Sequence, residues 1–139
     1  MPTIRPARLT DSDAIFSLAT EFATSFTVEQ TAFESSFVSL LQSPDAFVAV
    51  ASDNGRVIGY VLGFEHPTFY ANGRVAWVEE IMVSKDLRRR GVGRQLMENF
   101  EQWAGSRQSK LIALATRRAV PFYQRMGYEE SATYFRKLL

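Results

Sequence analysis

Residues 75–98 read VAWVEEIMVSKDLRRRGVGRQLME, and this stretch decides the fold. Val75 to Val83 is rich in β-branched and aromatic side chains, the composition of a well-buried strand. Ser84, Lys85 and Asp86 break the apolar run. Arg88-Arg89-Arg90-Gly91-Val92-Gly93-Arg94 follows, and from Val92 the apolar residues recur at helical spacing, at Leu96, Phe100 and Trp103. A strand that enters a helix through such a turn aims several backbone N–H groups at one point. The first N–H groups of a helix have no partner within it, and the helix dipole favours negative charge there. Gly91 and Gly93 carry no Cβ, so a ligand can come close to the backbone and a positive φ costs little. Arg88, Arg89, Arg90 and Arg94 add positive charge. Three arginines in a row read by themselves as solvated surface; the flanking glycines and the helix start turn the reading toward an anion, phosphate above all.

Outward from this stretch, the periodicity predicts a strand over residues 3–8, a helix over 14–22 and a second helix over 29–41. Leu9 to Asp13 is an N-cap-like cluster before the first helix. Ser43-Pro44 ends the second. Two strands, 46–52 and 56–65, meet at Asp53-Asn54-Gly55, whose Asn-Gly is a strong hairpin signal. Residues 66–73 form an aromatic connection into the strand at 75–83. A helix over 91–106 leads to a strand over 110–116. These two strands are too far apart in sequence for a hairpin, so a crossover sets them side by side and parallel. A short helix near 121–125 tolerates Pro121 in its first turn and closes at Gly127. Residues 128–139 are expected to form a last strand. The order β, α, α, β, β, β, α, β, α, β is an α/β (α+β) single domain over 1–139, with a mixed, mostly antiparallel sheet, a parallel pair at its centre and helices on both faces. Parallel neighbours that diverge at their C-terminal ends open a crevice, and here Val83 and Thr116 flank it.

The 139 residues can bury a substantial core. Hydrophobic residues make up 46%, but no apolar run is long enough to span a bilayer and no signal-like segment opens the chain, so a membrane partner is not expected. Zero cysteines exclude disulfides, thiolate metal sites and a cysteine nucleophile, and suit a cytoplasmic protein. A net charge of +1 provides no general attraction to nucleic acid. No histidine pair or carboxylate cluster stands at ligand spacing, so no metal is expected.

Arg88-x-x-Gly91-x-Gly93 after a strand ending at Val83 resembles the R/Q-x-x-G-x-G/A signature of the GNAT superfamily of acetyl-CoA-dependent N-acetyltransferases. A second stretch, Ala119 to Tyr128 (AVPFYQRMGY), is similar to that family's A-x-x-(F/L)-Y-x-x-x-G-(F/Y) segment. The resemblance covers essentially the whole chain in length and element order. It implies a sheet splayed between its parallel strands, with acetyl-CoA as acyl donor and a small-molecule or peptide amine as acceptor. The amides of Arg89, Arg90, Gly91, Val92, Gly93 and Arg94 would hold the pyrophosphate, with Arg88 also among the cofactor-binding residues. The strand end at Ile81, Met82 and Val83 would pair with the pantetheine arm, and Thr116 and Phe122 would lie along it. Many members carry an asparagine where Thr116 stands, which leaves that contact open. Exposed sheet edges in this architecture often pair, so a homodimer is a further expectation.

Acetyl transfer needs a neutral amine, donors for the carbonyl oxygen and a proton for the departing thiolate. Tyr123 resembles the family's tyrosine beside the thioester sulfur, and a phenol with a reference pKa of about 10 is a neutral donor at pH 7. Glu79 and Glu80 form a carboxylate pair within a strand, where charges are costly unless paired or used. Strand alternation sends one of them to each face. Counting back from Val83, Glu79 falls where the family often carries a group facing the amine, and Glu80 would then take a structural hydrogen bond. His66, Phe26, Phe69, Tyr70 and Trp77 are lesser candidates for the acceptor side. A non-catalytic acyl-CoA-binding or sensing module stands as the alternative.

Overall fold

The computed structural model describes residues 2–139. β1 (Thr3–Pro6) leads through a 3-10 turn into α1 (Ser12–Phe22) and α2 (Gln30–Gln42). β2 (Ala46–Asp53), β3 (Arg56–Thr68) and β4 (Gly73–Val83) follow, then α3 (Val92–Ser106), β5 (Ile112–Leu114) and α4 (Val120–Arg125). One sheet runs in the order β1-β2-β3-β4-β5, antiparallel as far as β4 and parallel between β4 and β5. This is the mixed architecture expected from the sequence. β3 and β4 are longer than expected, and their connection shrinks to residues 69–72.

Each element follows from its residues. Asn54 and Gly55 both hold positive φ, 51° and 78°, as a tight hairpin turn requires. Asp11 is buried before α1 and accepts hydrogen bonds from both terminal nitrogens of Arg5, at 2.8 and 2.9 Å, and from the Arg8 backbone N–H at 2.8 Å. These bonds hold its carboxyl below the usual carboxylate range, the Arg5 pair contributing most. The amphipathic faces of α1 and α2 bury Ile15, Leu18, Ala19 and Phe37 against Val50, Tyr60 and Met82 on one side of the sheet. α3 buries Val92, Leu96, Met97, Phe100 and Ala104 against Ala51, Val61, Ala76 and Val78 on the other. Gly63 is required here, since a Cβ at that position would land on the Phe100 ring and 2.9 Å from the Trp77 carbonyl oxygen.

β4 carries one extra residue. Leu62 pairs with Glu80 and Gly63 with Val78, so Glu79 stands out of register as a β-bulge. Below the bulge Ala76 and Val78 face α3; above it Met82 faces α1 and α2 while Ile81 and Val83 pack on the α3 side.

At the opposite end of the strands Glu65, its side chain fully buried, ties three elements together. Its Oε1 accepts from Arg74 Nε at 2.8 Å and Arg107 Nε at 2.6 Å, and its Oε2 from Ser109 Oγ at 2.5 Å. Burial alone would raise the Glu65 pKa; the bonds from Ser109, Arg107 and Arg74 outweigh it and hold the carboxyl below its ordinary value.

The expected strand over 128–139 does not form. Its large apolar residues come as adjacent pairs, Tyr134-Phe135 and Leu138-Leu139, which point to opposite faces of any strand and cannot bury together. β5 shortens to three residues, and with no sixth strand among the described residues the parallel pair lies at one edge of the sheet.

Candidate active site

β4 and β5 pair at only three positions, Ala76 with Ile112, Trp77 with Ala113 and Val78 with Leu114. β4 then continues to Val83 with no strand paired on that side among the described residues. A bulge bends and twists its strand, and this one lies immediately after the last β4–β5 pair, so it directs the two strands apart. The Ser84 N–H donates to the Ile58 carbonyl at 2.8 Å, which sets the phase of the β3–β4 ladder. By alternation Glu80 and Met82 turn their backbone groups to β3, while Ile81 and Val83 turn theirs into the gap. Of the three strand-end residues expected to meet the coenzyme, Ile81 and Val83 thus offer backbone groups, and Met82 offers a mostly buried side chain.

The turn beyond Val83 has the expected character. A 3-10 turn over Lys85–Leu87 precedes Arg88, whose Nε donates to the Val83 carbonyl at 3.2 Å and whose terminal nitrogen lies 3.6 Å from the Met82 sulfur. Arg88 therefore braces the strand end rather than extending free. Arg89 and Gly91 hold positive φ, 67° and 81°. Gly91 is the N-cap of α3 and supplies no side-chain cap, while its carbonyl accepts the first helical bond, from Gln95 N–H at 3.0 Å. The N–H groups of Val92, Gly93 and Arg94 are left without intrahelical acceptors. A Cβ on Gly93 would stand 3.6 Å from the Phe122 ring. Arg89, Arg90 and Arg94 are exposed and have no carboxylate within ion-pair distance among the described residues.

α4 brings the second motif to the same opening. The Thr116 hydroxyl accepts the Ala119 N–H at 3.1 Å, so it serves the start of α4. Pro121 sits in the first turn, and Phe122 and Tyr123 meet edge to face with ring centroids 4.9 Å apart. Tyr123 is 8% exposed. Its hydroxyl has no hydrogen-bond partner among the described residues, and the residue lines the cleft. Burial raises its pKa, which keeps the phenol protonated as a donor. Tyr128 donates instead to Glu101 at 2.7 Å.

Glu79 and Glu80 both line the cleft, whose volume is about 2350 Å³. The bulge removes the alternation that would have sent them to opposite faces. Glu80 lies on the α1–α2 side, where the Tyr60 hydroxyl donates to its Oε1 at 2.6 Å, the structural bond expected for it. Burial first, then the Glu80 charge, drives the Tyr60 pKa up. Glu79 is exposed within the cleft and has no side-chain partner among the described residues. Trp77, Phe26 and Tyr70 also line it; Phe69 and His66 are exposed elsewhere. Sequence reasoning missed Tyr60, Ser25, Tyr134 and Arg136, which meet the same cavity. Only contacts between distant parts of the chain reveal them.

The free amides of α3, the open edge at Ile81 and Val83, and the Tyr123 hydroxyl fit a phosphate-bearing acyl carrier laid along the gap. Among the described residues no three His, Cys, Asp or Glu side chains converge as metal ligands, and no helix is long and apolar enough to cross a membrane.

Comparison with known proteins agrees with this geometry. The aminoalkylphosphonate N-acetyltransferase of Salmonella typhimurium is 29% identical over 141 aligned residues, covering 98% of this chain and 90% of that protein. The glucosamine-6-phosphate N-acetyltransferase of Arabidopsis thaliana superposes with a TM-score of 0.89 at 17% identity, covering 99% and 98% of the two chains. A transcriptional regulator from Bacillus halodurans C-125 has the same fold, with a TM-score of 0.89 at 19% identity over the whole of both chains. Residues 13–128, which carry both glycine motifs and the strand between them, match the Acetyltransferase (GNAT) family, and the chain belongs to that family of enzymes.

Proposed function

We propose that the protein transfers an acetyl group from acetyl-CoA to a primary amine of a small molecule or peptide, by direct attack within a ternary complex. The observation that carries this reading is the convergence on one cleft of three sets of groups: the α3 amides, the strand edge at Ile81 and the Val83 N–H, and the Tyr123 hydroxyl. Acetyl-CoA supplies an already activated acyl group, so positioning provides much of the rate.

The chain's own residues divide the remaining work. Val92, Gly93 and Arg94 present N–H groups to the pyrophosphate, with Arg89 and Arg90 contributing charge. Ile81 and Val83 hydrogen-bond the pantetheine arm and the carbonyl oxygen, Met82 and Phe122 supply apolar wall, and Thr116 acts through the start of α4. Glu79 receives the ammonium or its proton through water, with Glu80 beside it. Tyr123 Oη donates a proton to the departing sulfur. The aminoalkylphosphonate relative makes short amines of that type the first acceptors to try.

The test is acetyl-CoA turnover against an amine panel, with mass spectrometry of the acceptor. Acetylated amine with stoichiometric thiol release is the expected result. Acetyl-CoA binding with no acetylated product from any amine would sink the transferase reading in favour of a binding or sensing module.

A further inference from the structure

The last residues of the chain join no strand, yet they are anchored across the cleft. Tyr134 stacks on Trp77, with ring centroids 6.4 Å apart and planes 22° from parallel. Trp77 lies on the α1–α2 side of β4, two positions before the bulge at Glu79. Two residues beyond Tyr134, an Arg136 terminal nitrogen donates to Ser25 Oγ at 2.9 Å, in the connection between α1 and α2. The tail therefore runs from β4 to that connection and walls one side of the cleft.

Glu79 and Glu80 lie on the strand side of the cleft, and the Arg136 guanidinium lies at the α1–α2 connection, with the Trp77–Tyr134 stack also on the wall. Glu21, Glu29, Glu129 and Glu130 line the same cleft, none of them within ion-pair distance of Arg136. Arg136 has no carboxylate within ion-pair distance among the described residues. Arg117 and Arg118 also reach the cleft, but from the connection between β5 and α4. A planar guanidinium with a single hydroxyl partner keeps most of its donors unused, and its fork matches an oxyanion in two-point fashion. The Ser25 hydroxyl accepts from Arg136 and can still donate its own proton to the same oxyanion.

We propose that Arg136, carried on the C-terminal tail and braced by Ser25, is a specificity-determining residue that binds an anionic group of the acceptor. The acceptor class is then a small primary amine bearing a carboxylate, phosphate or phosphonate a few bonds from its nitrogen. The amine end faces Glu79 and Glu80, the anionic end faces Arg136, and the aromatic stack packs on the carbon chain between them. This rests on the acetyltransferase reading above and adds the acceptor to it.

The test compares O-phosphoethanolamine, β-alanine and ethanolamine as acceptors for the full-length protein and its Arg136→Ala and Arg136→Lys variants. Wild type should favour the two anionic amines over ethanolamine by about tenfold or more in kcat/KM. The ratio between those two separates phosphate from carboxylate recognition. Arg136→Ala should erase the preference through KM, Arg136→Lys should keep part of it, and acetyl-CoA affinity, melting temperature and ethanolamine turnover should hold. Equal loss on all three acceptors would make Arg136 a structural brace and overturn the proposal, as would a wild-type preference for ethanolamine. Calorimetric titration of O-phosphoethanolamine into the acetyl-CoA complex keeps the two readings separable. Binding that depends on Arg136 without acetylation preserves the anion site and removes the transferase; acetylation of amines regardless of charge does the reverse.

Discussion

The two ends of the β3–β4–β5 region treat their polar groups in opposite ways. At the end near Glu65, a fully buried carboxylate is met by Arg74, Arg107 and Ser109, and Asp45 takes a second bond from each guanidinium, at 2.7 and 2.9 Å. At the end near Val83, the Ile81 edge, the first amides of α3 and the Tyr123 hydroxyl have no such partners among the described residues, and only the Val83 carbonyl is taken, by Arg88 Nε. Both ends are built from the same strands, so fold alone does not explain the difference. Partnered groups hold elements together; a concentration of partnerless donors at one opening marks where a ligand completes the network.

The comparison breaks most visibly if Tyr123 is only packing. Tyr123→Phe keeps the ring and removes one donor, and it should lower kcat roughly 100-fold with acetyl-CoA affinity and melting temperature unchanged. Steady-state kinetics on an accepted amine, beside a thermal melt, decides this; near-normal turnover would mean the thiolate takes its proton from water.

The opposite end should respond in stability alone. Glu65→Ala leaves two guanidinium groups without their shared anion and should cost about 2–3 kcal/mol. The figure sits at or below the range for fully buried pairs because the side chains of Arg74 and Arg107 keep 34% and 33% exposure. Acetyl-CoA affinity measured at a temperature where the variant is folded should not move. The pH dependence follows the same logic. The folded-state pKa of Glu65 is depressed, so its contribution is present above the unfolded value of about 4.3 and is lost as pH falls through the folded value. Melting temperature should fall with pH below about 4.3, and Glu65→Gln should flatten that slope.

A smaller effect sharpens the binding end. Gly93→Val puts a branched side chain in front of the α3 amides and should weaken acetyl-CoA about tenfold, whereas Arg90→Ala should change the dissociation constant less than about threefold. Equal effects in calorimetry would move the pyrophosphate from the amides to the arginines. Smallest of all, Glu79→Gln should raise the acceptor KM a few-fold with acetyl-CoA affinity unchanged, while Glu80→Gln, which keeps an acceptor for Tyr60, should act mainly on melting temperature. Exchanged phenotypes would assign the amine to Glu80.

Much of this was legible in the chain because it is local. The strand-turn-helix at 75–98, the Asn54-Gly55 hairpin and the Pro121-to-Gly127 helix each follow from periodicity and turn chemistry within about twenty residues. What was not legible depends on pairing across distance. Nothing in VEEIM shows that Glu79 is out of register, though Gly63 opposite was the available hint. Glu65 reads as the polar end of a strand until Arg107, 42 positions away, is folded onto it. The tail misled for the same reason: Tyr134 and Arg136, read as part of a strand, instead find Trp77 and Ser25 one by one.

The bulge at Glu79 has an arithmetical consequence. Take that residue out, and Val78 is followed by Glu80, Ile81, Met82 and Val83 in unbroken alternation. Every one of those side chains would keep the face it has now, with Ile81 and Val83 still toward α3 and Met82 toward α1 and α2. Glu79 is therefore one residue more than the core needs, and its insertion leaves the parity of the strand untouched. What it changes is direction: a regular β4 would run on beside β5, and their edges would close on each other. A one-codon deletion thus separates folding from ligand entry, predicting a protein that melts cooperatively and no longer admits acetyl-CoA.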